Sequence, residues 1–328
     1  MTLRLGFVGA GWIGRHRMQA LVDSGHARVA AIVEPDPDAL AQARAIAPDA
    51  AVFADLAAML AHPLDGVVIA TPRALHTAQT IAALERGLAV FCQKPLGRDA
   101  DETRTALAAA RAADRLLGVD FSYRRTRAVT ALRDRVATGA IGRVHAVELR
   151  FDNAYGPGKS WFRDPALAGG GCLVDLGSHL VDLVGVVLGP LVWRRINTAL
   201  FAHGARIAAR TAVEDLAYAQ LEAEDGTVVR LACSWELPAG QDAVIEARLI
   251  GRTGALVFAN QGGSFYDFTL DLHRGTARER LVDPPDEWGG REAVAWAAQL
   301  AAARGYDPAA ESYLWTARTL DAIYRAAA

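Results

Sequence analysis

A chain of 328 residues that is 52% hydrophobic and 22% charged can fill two cores and is not disordered. Its formal net charge of −2, with no basic stripe interleaved with aromatics, gives nucleic acid no footing. Cys92, Cys172 and Cys233 are odd in number, far apart and without CxxC spacing, so neither a disulfide framework nor a structural metal site is expected.

Met1–Val8 lacks a basic segment followed by a long apolar run, and reads as a strand rather than a signal peptide. Short apolar runs at Leu3–Val8, Val29–Val33, Val67–Ala70, Ala89–Cys92 and Leu116–Asp120 alternate with helical stretches at Ile13–Ser24, Asp38–Ile46, Asp55–Ala61, Leu75–Arg86 and Asp101–Ala113. That rhythm predicts a parallel sheet covered on both faces over 1–121. From 122 to 328 the pattern changes. A helix at Ala128–Thr138 and a strand at Arg143–Phe151 precede a Gly/Pro/Asn-rich loop, Asn153–Gly171, and an apolar helix, Leu173–Leu188. Leu191–Leu281 is mostly extended, with Glu224-Asp225-Gly226 as a hairpin turn, and helices at Arg291–Arg304 and Pro308–Ala327 close the chain. The expected fold is an α/β Rossmann domain followed by an α+β domain with an open, mostly antiparallel sheet. The longest apolar stretch, Leu183–Trp193, is broken by glycine and Pro190 and is too short for a bilayer, so a cytoplasmic protein is expected.

Gly9-Ala10-Gly11-Trp12-Ile13-Gly14 lies between the first strand and the first helix. In such a motif one glycine makes the turn, the next lets a pyrophosphate approach, and the third allows close packing, with the phosphates at the positive end of the helix. Glu34 follows Gly14 by twenty residues, where a carboxylate accepts ribose hydroxyls and repels a 2′-phosphate. NAD is therefore expected rather than NADP.

Thr71-Pro72 with His76, Gln93-Lys94-Pro95-Leu96, Gly169-Gly170-Gly171, Asp175-Leu176-Gly177-Ser178-His179 with Asp182, and Gly251-Arg252-Thr253-Gly254-Ala255 together resemble the glucose–fructose oxidoreductase / inositol dehydrogenase / rhizopine-catabolism (Gfo/Idh/MocA) family. The likeness covers nearly the whole chain. It implies a dehydrogenase acting on a CH–OH group of a sugar, cyclitol or related polyhydroxy compound. It adds Thr71, Pro72, His76, Gln93 and Lys94 to the cofactor set, makes Lys94, Asp175 and His179 catalytic, and implies a homodimer or homotetramer formed through the open sheet. The family usually has Glu-Lys-Pro where this chain has Gln93-Lys94-Pro95, so the charge beside the lysine differs.

The residues support this reading independently. Lys94 follows an apolar strand, where open α/β sheets place ligand groups. Asp175 and His179 are four apart on an apolar helix, where unpaired polar groups are costly. His179 is the expected base for the hydroxyl proton, oriented by Asp175, with Lys94 stabilising the developing alkoxide. Arg124, Asp152, Asn153, Tyr155 and Trp161, on a turn and the long loop, are candidate substrate contacts. The other histidines show no metal-ligand spacing. Two competing readings are a glycoside hydrolase or lyase that retains NAD for transient oxidation, and a non-catalytic nucleotide or sugar sensor.

Overall fold

The computed structural model describes residues 2–327, which form two compact units. One holds the residues up to Ser122 together with Gly289–Leu314; the other holds Tyr123–Trp288 and the residues from Trp315 onward.

In the first unit, β1 (Leu3–Val8), α1 (Trp12–Asp23), β2 (Ala27–Val33), α2 (Pro37–Ile46), β3 (Ala51–Val52), α3 (Leu56–Met59), β4 (Gly66–Ile69), α4 (His76–Glu85), β5 (Ala89–Cys92), α5 (Ala100–Ala113) and β6 (Leu117–Val119) follow the expected alternation. All neighbours are parallel, in the order β3-β2-β1-β4-β5-β6. This is the doubly wound dinucleotide-binding order, and its direction reverses between β1 and β4. Aspartates mark the helix starts: Asp36, Asp55 and Asp99 each accept a first-turn N–H. The strand β3 goes beyond the sequence reading, since two residues are too few to show a period. The helix Arg291–Ala302 packs against the sheet through Trp296, whose ring centroid lies 5.5 Å from that of Phe91.

The second unit contains α6 (Arg127–Ala137), β7 (Val144–Asn153), α7 (Pro165–Ala168), a π-helical turn (Leu173–Gly177), α8 (Ser178–Leu188), β8 (Trp193–Ala202), β9 (Ala205–Ile207), β10 (Leu216–Ala223), β11 (Val228–Ser234), β12 (Ala243–Gly251), β13 (Ala255–Asn260), β14 (Phe268–Arg274) and β15 (Ala277–Val282). These strands form one nine-stranded sheet ordered β15-β14-β13-β12-β7-β11-β10-β8-β9. Every pair is antiparallel except β7 with β11. Along β10, Ala217, Ala219, Leu221 and Ala223 are buried while Tyr218 and Gln220 are exposed, the signature of a sheet with one packed face and one open face. The packed face joins Leu149, Phe151, Leu173, Val181, Leu231 and Phe258 in a single core.

Two local differences from the sequence reading bear on the site. The presumed loop contains a 3-10 turn, Ser160–Arg163, and α7. The apolar helix opens as a π-turn rather than an α-helix, so Asp175 and His179 are not set by simple α spacing. By length and composition alone the helical run Pro165–Leu188 could cross a membrane, but 72% of its most apolar window is buried inside the protein, as for a core helix.

Candidate functional site

The glycine turn is built by contacts that only glycine tolerates. Gly9 has φ +85°, and a Cβ there would lie 2.6 Å from the Ala70 carbonyl oxygen; at Gly14 it would lie 2.4 Å from the Gly9 carbonyl oxygen. Gly11 caps α1 without a side-chain acceptor, leaving the first-turn N–H groups to an anion. Trp12 is exposed and Ile13 half-buried at the start of the helix. Glu34 leaves β2 beside this turn: one carboxylate oxygen accepts the Ala10 N–H at 2.5 Å, the other the Asp36 N–H at 3.0 Å. A carboxylate has lone pairs left for ribose hydroxyls. These residues therefore fit a dinucleotide: a tight turn, an open helix start and an anchored acceptor.

At the ends of β4 and β5, Thr71 donates its hydroxyl to Gln79, and Pro72 is exposed. His76 is 1% exposed, with Nδ1 2.8 Å from the Pro95 carbonyl oxygen and Nε2 2.8 Å from that of Thr71. Two acceptors call for two N–H donors, yet burial, the largest influence, together with Arg73 and Lys94, lowers the His76 pKa and favours the singly protonated ring. Burial prevails, so one carbonyl receives a proton and the other faces a lone pair. His76 thus ties the Thr71 loop to the Lys94-Pro95 turn. Gln93 and Lys94 are both half-buried, and the Gln93 side-chain oxygen accepts the Lys94 N–H at 3.0 Å.

In the second unit, Asp175 and His179 are partly open to solvent, whereas Leu173, Val174, Leu176, Leu180 and Val181 around them are buried. Trp235, 2% exposed, donates its indole N–H to Asp175 at 3.2 Å. Tyr123 packs its ring 4.8 Å from that of His179, and Phe151 lies 6.2 Å away. Burial, with Tyr266 and Asp175 adding to it, pushes the Tyr123 hydroxyl well above its usual range, so it stays protonated. Sequence reasoning missed Trp235 and Tyr123.

Glu214 sets the start of this helix. One of its oxygens accepts the Gly171 N–H at 2.8 Å, the Leu173 N–H at 3.1 Å and the Tyr324 hydroxyl at 2.6 Å. Burial is the main cause of its raised pKa, and those bonds oppose it. The glycines exist to admit this packing: a Cβ would fall 2.1 Å from the Tyr324 hydroxyl at Gly170 and 1.9 Å from the Glu214 carbonyl oxygen at Gly171.

The candidate substrate contacts divide by environment. Arg124 forms a two-pronged pair with Asp182, which is 3% exposed, and Asp152 is buried at 2% and paired with Arg150. Burial raises the pKa of both aspartates, and their arginine partners oppose the shift. Asn153 is half-buried and Tyr155 exposed. Trp161 stacks on Phe162 with ring centroids 3.8 Å apart, and Phe162 meets Trp235 edge-on. A stack therefore leads from Trp161 to the indole that holds Asp175. Among the described residues no cluster of His, Cys, Asp and Glu could hold a metal ion.

Residues 3–121 match the family model described as an oxidoreductase family with an NAD-binding Rossmann fold, and residues 129–257 match the GFO/IDH/MocA C-terminal domain. The chain is 30% identical over 235 residues to the D-glucoside 3-dehydrogenase of Escherichia coli (strain K12), covering 67% of each chain. It is 33% identical over 263 residues to a putative UDP-kanosamine synthase oxidoreductase subunit of Amycolatopsis mediterranei (strain S699), covering 75% of this chain and 72% of that one. In fold it is similar to a levoglucosan dehydrogenase in complex with NADH and levoglucosan, with a TM-score of 0.83, 21% identity, and coverage of 100% and 97%.

Proposed function

The chain belongs to the Gfo/Idh/MocA family of NAD-binding oxidoreductases, and from that premise we propose that it oxidises a secondary hydroxyl of a sugar, cyclitol or related polyhydroxy compound. One observation carries the reading: a carboxylate and an imidazole, Asp175 and His179, stay partly open while their neighbours on the same helix, Leu173, Val174, Leu176, Leu180 and Val181, are buried. On an otherwise apolar stretch, a carboxylate and an imidazole that reach solvent are the groups available to a polar substrate. The substrate class draws on the names of the relatives, a glucoside dehydrogenase and inositol 2-dehydrogenases among them.

In this proposal NAD, when bound, supplies the hydride acceptor. His179 takes the hydroxyl proton, and the Trp235–Asp175 hydrogen bond keeps Asp175 fixed where it orients the imidazole or the substrate hydroxyl. Lys94 stabilises negative charge on the reacting oxygen. Asn153, Tyr155 and Trp161 are the proposed sugar contacts, since hydroxyl-binding and flat aromatic groups suit a sugar ring. Arg124 and Asp152, whose charges already meet a partner, act mainly by fixing neighbouring backbone. The test is NADH formation across cyclitols, aldoses and uronic acids, with analysis of cofactor carried through purification. Absence of NADH on every class, with NAD retained, would replace this reading by the retained-cofactor one.

The open sheet face is proposed as the contact between copies of the chain. It carries Tyr218, half-exposed, beside a depression of 460 Å³ lined by Asn197, Gln220, Arg230 and Glu148. A two-fold contact needs a self-complementary patch, and opposite charges beside an exposed aromatic provide one. Tyr218→Glu should convert the oligomer to monomer in light scattering; a wild-type monomer at micromolar concentration would refute it. A cytoplasmic location is part of the same proposal, on the odd number and wide spacing of the three cysteines in the sequence.

A further inference from the structure

A buried polar chain runs through the first unit and ends at the Lys94 turn. The His16 Nδ1 accepts from the Arg17 guanidinium at 3.0 Å. Arg17, 5% exposed, donates its Nε–H to one oxygen of Asp120 at 2.6 Å, and Asp120 is fully buried. The Gln93 side-chain nitrogen donates to the same oxygen at 2.7 Å, while its oxygen accepts the Lys94 N–H. The second Asp120 oxygen is buried and has no hydrogen-bond partner among the described residues.

The amide orientation follows from both ends. A carboxylate only accepts, so the Gln93 atom facing it must be the NH₂; a backbone N–H only donates, so the atom facing Lys94 must be the oxygen. Turning the amide over breaks both bonds. We propose that Asp120 and Gln93 form a coupled positioning pair for Lys94, in which the Asp120 carboxylate locks the Gln93 amide so that its oxygen holds the Lys94 N–H, and the negative charge beside this turn resides at 120 rather than 93. The proposal rests on the reading that Lys94 acts at the substrate oxygen.

The substitution Gln93→Glu tests the coupling because the two protonation states of the new side chain behave oppositely. The acid donates to Asp120 and accepts from Lys94 as the amide does; the carboxylate sets two negative groups at hydrogen-bond distance. The pair is faced by Arg17 and His16 from α1, Cys92 from β5 and Lys94 from its own turn. His16 is lowered from its usual value mainly by burial, and burial also pushes the Cys92 thiol up to about 12. The carboxyl introduced by Gln93→Glu thus has a folded pKa above its unfolded value of about 4.3, and its stability contribution is lost as pH rises through the folded value.

The experiment is thermal unfolding of Gln93→Glu and wild type in parallel, without substrate, with kcat measured at the same pH values. The variant should unfold about 1 °C below wild type near pH 5 and about 5 °C below near pH 8. At the higher pH, kcat should fall about tenfold, and near pH 5, where the introduced carboxyl is protonated, by no more than about twofold. Adding Asp120→Asn should abolish the pH-dependent part of the difference. Gln93→Met, with nothing to titrate, should show a pH-independent difference and decides the matter if the double variant does not fold. A Gln93→Glu difference independent of pH, one that persists with Asp120→Asn, or an unchanged kcat overturns the proposal. Wild type that reduces no NAD on any substrate class instead sinks the dehydrogenase reading, and the thermal series still tests the pair.

Discussion

Alanine at position 171 would bring a methyl carbon to 1.9 Å from the Glu214 carbonyl oxygen, where ordinary contact begins at 3.4 Å. The obstacle is backbone on both sides, so neither partner can swing away as a side chain would. Relief requires the Gly171 strand to withdraw. That lengthens the Gly171 N–H bond to the Glu214 carboxylate, 2.8 Å, and the Cys172 N–H bond to the Glu214 carbonyl, 2.9 Å. Overpacking costs about 1–3 kcal/mol, and two buried hydrogen bonds, one to a carboxylate, add about 2–3 kcal/mol. A total near 4 kcal/mol lowers Tm by about 8–16 °C for a domain of this size. Gly158→Ala is the control, since its added Cβ meets nothing within 4 Å and its backbone needs no positive φ. Differential scanning calorimetry of the two variants decides: equal Tm values would show that the glycine run is not there to admit Glu214. Because Asp175 donates its N–H to the Gly171 carbonyl, kcat should drop along with stability.

Three further outcomes are expected. His179→Ala should lower kcat by about 10²–10⁴-fold with little change in Tm, and an unaltered pH–rate profile would remove the imidazole from proton transfer. Glu34→Ala should weaken NAD binding about 10–100-fold and narrow the preference over NADP, because it removes a charged acceptor and the repulsion of a 2′-phosphate; isothermal titration with both nucleotides measures this. Glu214→Gln concerns pH. The native carboxyl has a folded pKa above its unfolded one, so its contribution is greatest below the ordinary carboxylate range and is lost as pH rises through the folded value. Wild type should therefore lose stability relative to the variant on going from about pH 4 to neutrality, and parallel Tm curves would contradict it.

The strand–helix alternation of the first unit, the glycine turn with Glu34, and the Lys94 and Asp175/His179 motifs could all be read from the chain because each is a local pattern. What escaped notice depends on partners distant in sequence. Trp235 lies 60 residues beyond the Asp175 it holds, and Glu214 lies 43 residues beyond the Gly171 it meets; neither spacing has a period. The π-turn at Leu173–Gly177 was not visible either, because its hydrophobic pattern matches that of an ordinary buried helix. Gln93 was visible as a departure from the family triplet, but its reason was not. That reason is Asp120, 27 residues on.

The Trp296 ring occupies a seat framed by Gly66, Gly118 and Phe91, with Leu300 beside it. Trp296 and Leu300 reach the sheet only after Tyr123–Trp288 of the second unit has been translated. On the ribosome the first six strands must therefore wait, with an unfilled apolar hollow on one side, until the helix Arg291–Ala302 has emerged. The glycine turn can form early, but the sheet that steadies it is finished late. Nascent chains halted just beyond residue 121 should be readily degraded by protease, and chains halted beyond Leu314 should resist it.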